Sequence, residues 1–147
     1  MDMNLIMPLA CEWAAGQELS ICRSGLSLTE ELLAIAKKVG VQCPDKIRIA
    51  VVNAVPTPAH PVLQTACATT GLITPNTIGL TLSYGIFIRQ DESWSKRLFA
   101  HEFAHVAQYE RLGGIKQFLS QYLAEVLQYG YPQAPMEQEA IRAERLA

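Results

Sequence analysis

Apolar positions recur every three or four residues in several stretches of the chain, which is the spacing of helices with one buried face. The first stretch follows Ser27-Leu28-Thr29-Glu30, which has the form of a capping box, and continues to Gly40. Another begins at Pro61 and ends before Gly71. We predict helices over about 28–39, 61–70, 115–129 and from about 135 to the C-terminus. A further helix precedes the one at 115–129: it is capped by Asp91 or Ser93 and ends at Gly113-Gly114.

Two other stretches have the composition of β-strands. Residues 46–52 are rich in β-branched side chains that partly alternate with other residues, and residues 77–89 form a longer extended segment. The longer segment either turns at Ser83-Tyr84-Gly85 as a hairpin or continues as one strand with a bulge. No repeat or linker interrupts this order. The pattern therefore predicts an α+β fold in which residues 1–147 form one domain.

Composition narrows the classes of function. A chain of 147 residues can bury about two thirds of its unfolded surface without disulfides. The net charge is only −2 and no polybasic block occurs, which argues against nucleic acid and anionic membranes as partners. The apolar run before Cys11 contains Pro8 and follows no basic residue, so we expect no signal peptide or membrane span and a cytoplasmic location.

The cysteines and the isolated histidine carry little signal. Cysteines stand at positions 11, 22, 43 and 67 without a CxxC pair, so we expect four buried thiols, with two disulfides as the alternative. His60 lies alone in a proline-rich loop, where a solvated side chain is the usual outcome. Neither feature predicts a functional site.

The strongest chemical signal is His101-Glu102-Phe103-Ala104-His105. On a helix, histidines four residues apart project from one face and can bind one Zn²⁺. Glu102 lies about 100° further round the helix, beside such a metal, where it can act as general base toward zinc-activated water. The flanking residues are almost all apolar, so the helix is expected to be buried and its polar side chains to need partners. A hydrogen-bonded pair of core histidines is the alternative.

A catalytic zinc site requires a third protein ligand, and no histidine or cysteine follows His105. The ligand must then be a downstream carboxylate, and the candidates are Glu110, Glu125, Glu137, Glu139 and Glu144. A helical wheel of the last helix places Glu139 within an apolar face, and it places Glu137 and Glu144 together at the edge of that face. The wheel favours Glu139 over Glu137. The alternative is that this helix is exposed and that its glutamates form salt bridges with its own arginines.

Three segments resemble a family of small, largely uncharacterised bacterial zincin-like proteins that are predicted metallopeptidases. The matching segments are Leu80–Ile88, His101–Tyr109 and Pro135–Ala140. The resemblance covers about residues 46 to 145. It implies a zincin-like minimal metalloprotease fold, with a small sheet packed on a helical bundle.

The same resemblance assigns roles to individual residues. It implies His101 and His105 as zinc ligands, Glu102 as the catalytic base and Glu139, the acid before an alanine, as the third ligand. It also implies that Gly85–Arg89 is an edge strand along which a peptide lies.

Three functions are compatible with this sequence. The first is a zinc hydrolase, a metallopeptidase acting on a peptide or protein substrate, in which Tyr84, Tyr109 or Tyr131 stabilises the oxyanion. The second is a non-catalytic, zinc-stabilised module that binds a peptide or protein. The third is a helical interaction protein without a metal. Metal content distinguishes the third from the others, and peptide hydrolysis distinguishes the first from the second.

Overall fold

Four strands form a mixed sheet in this computed structural model, which describes residues 1–147. The strands are β1 (Leu26–Ser27), β2 (Arg48–Val52), β3 (Gly79–Leu82) and β4 (Gly85–Arg89). Six helices surround them: α1 (Met3–Ser24), α2 (Glu30–Val39), α3 (Pro61–Thr70), α4 (Lys96–Leu112), α5 (Ile115–Tyr129) and α6 (Pro135–Ala143). Short 3-10 turns cover Pro44–Lys46, Gln90–Glu92 and Glu144–Leu146. The predicted α+β class is confirmed.

The sheet has the order β1-β2-β4-β3, with β4 parallel to β2 and antiparallel to β3. The hairpin predicted at Ser83-Tyr84-Gly85 is therefore confirmed, and the bulged single strand is wrong. The implied edge strand at Gly85–Arg89 is also wrong, because β4 is paired on both sides. Its first four residues are buried without alternation, as expected of a central strand covered on both faces. The edge strand beside the HExxH helix is instead β3.

The largest core cluster lies between the sheet, α2 and α4. It joins Ile86 and Ile88 of β4 to Phe103 and Val106 of α4. This packing explains the apolar flanks of the HExxH segment, since only part of the α4 surface is left for polar side chains. Burial of such residues against the sheet fixes the rotation of α4 and aims His101 and His105 away from it, toward α6.

The caps of two helices differ from the prediction. Ser95, not Asp91 or Ser93, caps α4 by accepting a hydrogen bond from the Leu98 N–H, because residues 90–92 form a separate 3-10 turn. Thr29, not Ser27, caps α2 in the same way, because Ser27 belongs to β1. The predicted glycine ends are confirmed, since Gly40 and Gly113 have positive φ values.

The N-terminal helix α1 was not predicted. Pro8 lies inside it, and its apolar side chains are spread around the helix rather than gathered on one face, so the sequence shows no clear helical period. None of the helices combines the length and the apolar character required to cross a bilayer.

The cysteine prediction needs correction. All four cysteines are free thiols, so the alternative of two disulfides is wrong. Cys22 is exposed and the other three are only partly buried, so the expectation of four buried thiols is also wrong.

Candidate metal centre

The two histidines of α4 meet one carboxylate of α6. The Nε2 atom of His101 lies 2.6 Å from Glu137 Oε1, and the Nε2 atom of His105 lies 3.2 Å from Glu137 Oε2. Ligand atoms of the three residues all lie within 4.8 Å of one another. Two imidazole nitrogens and a carboxylate form the ligand set of a known class of catalytic zinc site.

The other nitrogen of each imidazole already has a partner. His101 Nδ1 lies 3.0 Å from Glu144 Oε2, and His105 Nδ1 lies 2.8 Å from Gln108 Oε1. The Gln108 amide nitrogen donates to Met136 O and Glu139 Oε1, so the orientation of this amide is fixed and its oxygen must accept. Both Nδ1 atoms therefore carry hydrogen, which is the arrangement that holds metal-binding imidazoles in place.

This arrangement requires a cation between the histidines and Glu137. If both rings are neutral and protonated at Nδ1, their Nε2 lone pairs point at an anionic carboxylate. Either protons or a metal ion must separate these acceptors. The donor set therefore fits Zn²⁺, whose preferred ligands include neutral imidazole and carboxylate.

In the protein without metal, the pKa values of these residues shift in favour of charged pairs. Burial lowers the pKa of His101, but the hydrogen bond and negative charge of Glu137 outweigh it and raise the pKa to about 9. Burial also lowers the pKa of His105, but the hydrogen bond and negative charge of Glu137 outweigh it and raise this pKa above its usual value. Burial raises the pKa of Glu137, but its hydrogen bonds to the two histidines lower it well below the usual range. Protons thus occupy the position that a metal ion would take.

The structure does not bring Glu139 to the histidines, and this corrects the predicted ligand set. The Glu139 carboxylate accepts from Gln108 at 2.7 Å and from Arg111 at 3.0 Å, and its side chain is 43% exposed. Glu137 takes its place as the candidate third ligand. Glu139 lies outside the cluster and contacts the side-chain amide of Gln108, which orients His105.

The wheel failed because the last helix is shorter than predicted. Leu146 and Ala147, which helped to define the apolar face, lie at or beyond the 3-10 turn that follows α6 and are exposed. The buried residues of α6 are Met136, Glu137 and Ala140. The wheel did place Glu137 and Glu144 side by side, and these two acids contact the two nitrogens of His101.

The other candidate acids have structural partners. Glu125 accepts a hydrogen bond from the Met136 N–H at 2.7 Å and so holds the first turn of α6, which has no side-chain cap of its own. Glu110 accepts from the backbone of Gln42 and Cys43 at the opposite end of α4. Neither residue belongs to the cluster around the histidines.

The carboxylate of Glu102 is buried beside the cluster and is held by β3. Thr81 Oγ1 donates to Glu102 Oε1 at 2.8 Å, and Thr81 is itself buried. A Cβ atom at Gly79 would lie only 3.0 Å from Glu102 Oε2. Glycine at this position therefore leaves the space that the second carboxylate oxygen needs.

The structure distinguishes the tyrosines that were candidates for stabilising the oxyanion. Tyr84 donates to Glu110, and Tyr109 donates to the Thr81 carbonyl, so both phenols are engaged in structural contacts. Tyr122, which sequence reasoning missed, donates to Glu137 Oε2 at 2.6 Å. Tyr131 lines both cavities that border His101 and Glu102. Burial and then the negative charge of Glu137 raise the pKa of Tyr131 well above its usual value, so it remains a proton donor.

His60 has a local structural role. Its Nδ1 atom accepts a hydrogen bond from the Val62 N–H and so caps α3. It is absent from the residues that line the two cavities at the metal centre.

Two cavities border the centre. The first has a volume of about 150 Å³ and a mostly apolar wall, and the second has a volume of about 270 Å³ and a wall of mixed polar and apolar character. Gly79, His101 and Glu102 line both of them. The candidate metal centre is therefore accessible to a ligand from two sides.

Comparison with the models of known protein families, with curated proteins and with solved structures found no match to this chain. The geometry of the site is therefore the basis for inferring its function.

Proposed function

We propose that this protein is a zinc-dependent hydrolase of the metallopeptidase class, with a zincin-like arrangement in which His101, His105 and Glu137 hold the metal. The observation that carries the proposal is the convergence of two Nε2 atoms on one carboxylate while both Nδ1 atoms have acceptors elsewhere. A histidine pair that served packing alone would not need all four contacts in this orientation.

A bound Zn²⁺ supplies Lewis acidity, which polarises a carbonyl group and makes water a nucleophile at neutral pH. Glu102 accepts the proton from the attacking water and passes it to the leaving amine. Thr81 holds Oε1 of this carboxylate, while Oε2 faces the space over Gly79 between the two cavities. Thr81 therefore acts as a positioning residue for Glu102.

The edge strand β3 offers a place for an extended peptide. Residues Gly79–Leu82 pair with β4 on one side only, so no strand occupies the other edge of β3, although the Thr81 carbonyl already accepts a hydrogen bond from Tyr109. Gly79 also lines both cavities at the candidate centre. A substrate paired with β3 would pass His101 and Glu102 and place its carbonyl oxygen near Tyr131, which we assign as the donor to the oxyanion.

The second candidate is a zinc-stabilised module without catalysis. It is favoured by the way the C-terminal segment holds α4, because Glu137 and Glu144 contact both nitrogens of His101. A metal there would tie α6 to α4 and stabilise the fold whether or not a bond is cleaved. Hydrolysis is therefore the measurement that separates the two functions.

The test combines metal analysis with digestion of a peptide library, using protein without a histidine tag. We expect about one zinc per chain in the wild type, and no tight zinc binding in His105→Ala. Glu102→Gln should keep the zinc and lose about 10²- to 10⁴-fold in hydrolysis, because it removes a base and not a ligand.

Three results would contradict parts of this scheme. A wild-type protein that stays metal-free after dialysis against zinc would exclude both zinc functions. Zinc binding without cleavage of any library peptide would select the module. Cleavage by Glu102→Gln at the wild-type rate would show that another group is the base.

A further inference from the structure

The apolar cavity beside the candidate centre has an unusual wall. Twenty of its twenty-eight lining residues are hydrophobic, and most of them come from α1, α3, α5 and β3. Every carboxylate and imidazole in the wall belongs to the centre itself, namely His101, Glu102, His105 and Glu137. No lysine or arginine lines the cavity. The cavity therefore offers no ion-pair partner to a charged side chain, apart from the reacting groups.

The size of this cavity limits its occupant. An apolar cavity of about 150 Å³ in another protein stays dry and binds benzene, and the volume here is also about 150 Å³. A phenyl ring or a branched aliphatic side chain fills such a space, whereas alanine leaves most of it empty. Trp13 of α1 and Leu63 of α3 are among the residues that enclose it.

The second cavity borders some of the same groups and has a less apolar wall. Its wall includes Thr74, Asn76 and Thr77, and it shares Gly79, His101 and Glu102 with the apolar cavity. A substrate at the centre therefore borders one strongly apolar cavity and one cavity of mixed character. This asymmetry can select one residue next to the bond that is cleaved.

We infer that the apolar cavity binds a large, uncharged apolar side chain of phenylalanine, leucine or methionine type, on a residue that flanks the scissile bond. As a statement about substrates, this inference rests on the proposed peptidase function. As a statement about the cavity, it can be tested without hydrolysis. The experiment therefore measures cleavage preference and binding separately.

A matched pair of substitutions on α1 tests the position of the pocket. Ala10 lines the cavity, whereas Ala15 lies on the same helix, is exposed and does not line it. Ala10→Phe should fill the cavity with a phenyl ring, and Ala15→Phe places the same ring on the surface. Neither residue belongs to the catalytic or metal-binding groups.

Cleavage preference is measured by sequencing the products of a random peptide library digested by the zinc-loaded protein. We expect at least about a tenfold higher kcat/KM for phenylalanine, leucine or methionine than for alanine, aspartate or lysine at one flanking position, since burial of such a side chain is worth roughly that factor or more. Ala10→Phe should lose this preference while still cleaving alanine-flanked peptides, and Ala15→Phe should keep it.

Binding is measured by titrating toluene into the zinc-loaded protein and following methyl NMR signals of Leu63 and Leu123, which both line the cavity. We expect saturable shifts in the wild type and in Ala15→Phe, and none in Ala10→Phe. The wild-type measurement remains decisive if Ala10→Phe does not fold.

The outcomes separate the two claims. Toluene binding without cleavage of any peptide would support the apolar pocket and overturn the peptidase function. Cleavage with no apolar preference, together with no toluene binding, would overturn the pocket and leave the peptidase function in place. A preference for charged residues at both flanking positions would also overturn the inference.

Discussion

Helix α4 carries two polar centres, one around its middle and one near its C-terminal end, and both contain a glutamate with several partners. Near the C-terminal end, the Glu110 carboxylate accepts from the N–H groups of Gln42 and Cys43 at 2.8 and 3.0 Å and from the Tyr84 hydroxyl at 2.7 Å. All three partners are neutral donors. The carboxylate is therefore hydrogen-bonded without any cation, and its role is to hold the segment after α2 and the β3–β4 hairpin against α4.

At the other centre, Glu137 accepts a hydrogen bond from a neutral donor, the hydroxyl of Tyr122. Its other two contacts are the Nε2 atoms of His101 and His105, whose Nδ1 atoms face acceptors. This carboxylate needs a proton or a metal ion between itself and the rings. The comparison shows that a glutamate with several hydrogen-bond donors does not by itself mark a metal site. The candidate metal site is marked by the two imidazoles beside its carboxylate, because their Nε2 atoms present lone pairs and not donors.

The largest expected effect comes from making the same substitution at both centres. Glu137→Gln should weaken zinc affinity by more than about 100-fold, because changes in the outer shell alone typically cost about 10- to 100-fold. Glu110→Gln should leave zinc affinity nearly unchanged and lower the free energy of unfolding by about 1–3 kcal/mol, because an amide NH₂ replaces an acceptor among three donors. Chelator competition and urea unfolding provide the two measurements. Equal losses of zinc affinity would remove the distinction.

The second prediction concerns pH, since zinc must displace protons from the histidines. The pKa of His101 in the metal-free protein is raised to about 9, so zinc affinity should rise about tenfold per pH unit for each imidazolium displaced, and level off above about pH 9. Calorimetry in buffers of different ionisation enthalpy would count the released protons. Affinity that is flat between about pH 7 and 9 would show that the rings are already neutral.

The raised pKa of His101 should also make the stability of the metal-free protein depend on pH. This stability should fall as the pH rises, whereas zinc affinity should rise. A histidine with a raised pKa in the folded state stabilises the fold fully below its unfolded pKa of about 6.5. That contribution, about 3 kcal/mol at most, should be lost as the pH rises from about 6.5 through about 9. Saturating zinc should abolish this loss. Thermal unfolding with and without a chelator would measure both curves.

The third prediction tests the contact that holds His105. Gln108→Met keeps the approximate length of the side chain but removes the acceptor of His105 Nδ1 and the donor to Met136 O. Zinc affinity should fall about 10- to 100-fold. Gln117→Met on the exposed surface of α5 is the matched control and should have no effect. Unchanged affinity in Gln108→Met would mean that His105 is positioned by packing alone.

The smallest effect is expected at Glu139, the ligand favoured by the sequence. Glu139→Gln removes an ion pair with Arg111 in which both side chains are largely exposed, so the free energy of unfolding should fall by less than about 1 kcal/mol. Zinc affinity should change far less than in Glu137→Gln, because Glu139 contacts the metal centre only through Gln108. A larger loss of affinity at Glu139 than at Glu137 would restore the original assignment.

Local signals in the sequence determined several elements. Pro61 and Gly71 bound α3 as predicted, and Gly113-Gly114 and Gly130 bound α5 at 115–129. Proline at a helix start and glycine at positive φ act on neighbouring residues only, so they can be recognised without the rest of the fold. The shared face of His101 and His105 is determined in the same way, by the period of the helix.

Tertiary structure decided what meets these histidines. The rotation of α6 depends on the burial of Met136 and Ala140 and on the 3-10 turn that ends the helix, and these turn Glu137 rather than Glu139 toward α4. Thr81, Tyr122 and Glu144 likewise lie on separate elements, so only the fold brings them to the centre, whereas Gln108 lies three residues after His105 on α4 itself. Periodicity within one segment shows which of its faces is apolar. It does not show how that face is rotated against a neighbouring element, because that depends on contacts between residues far apart in the chain.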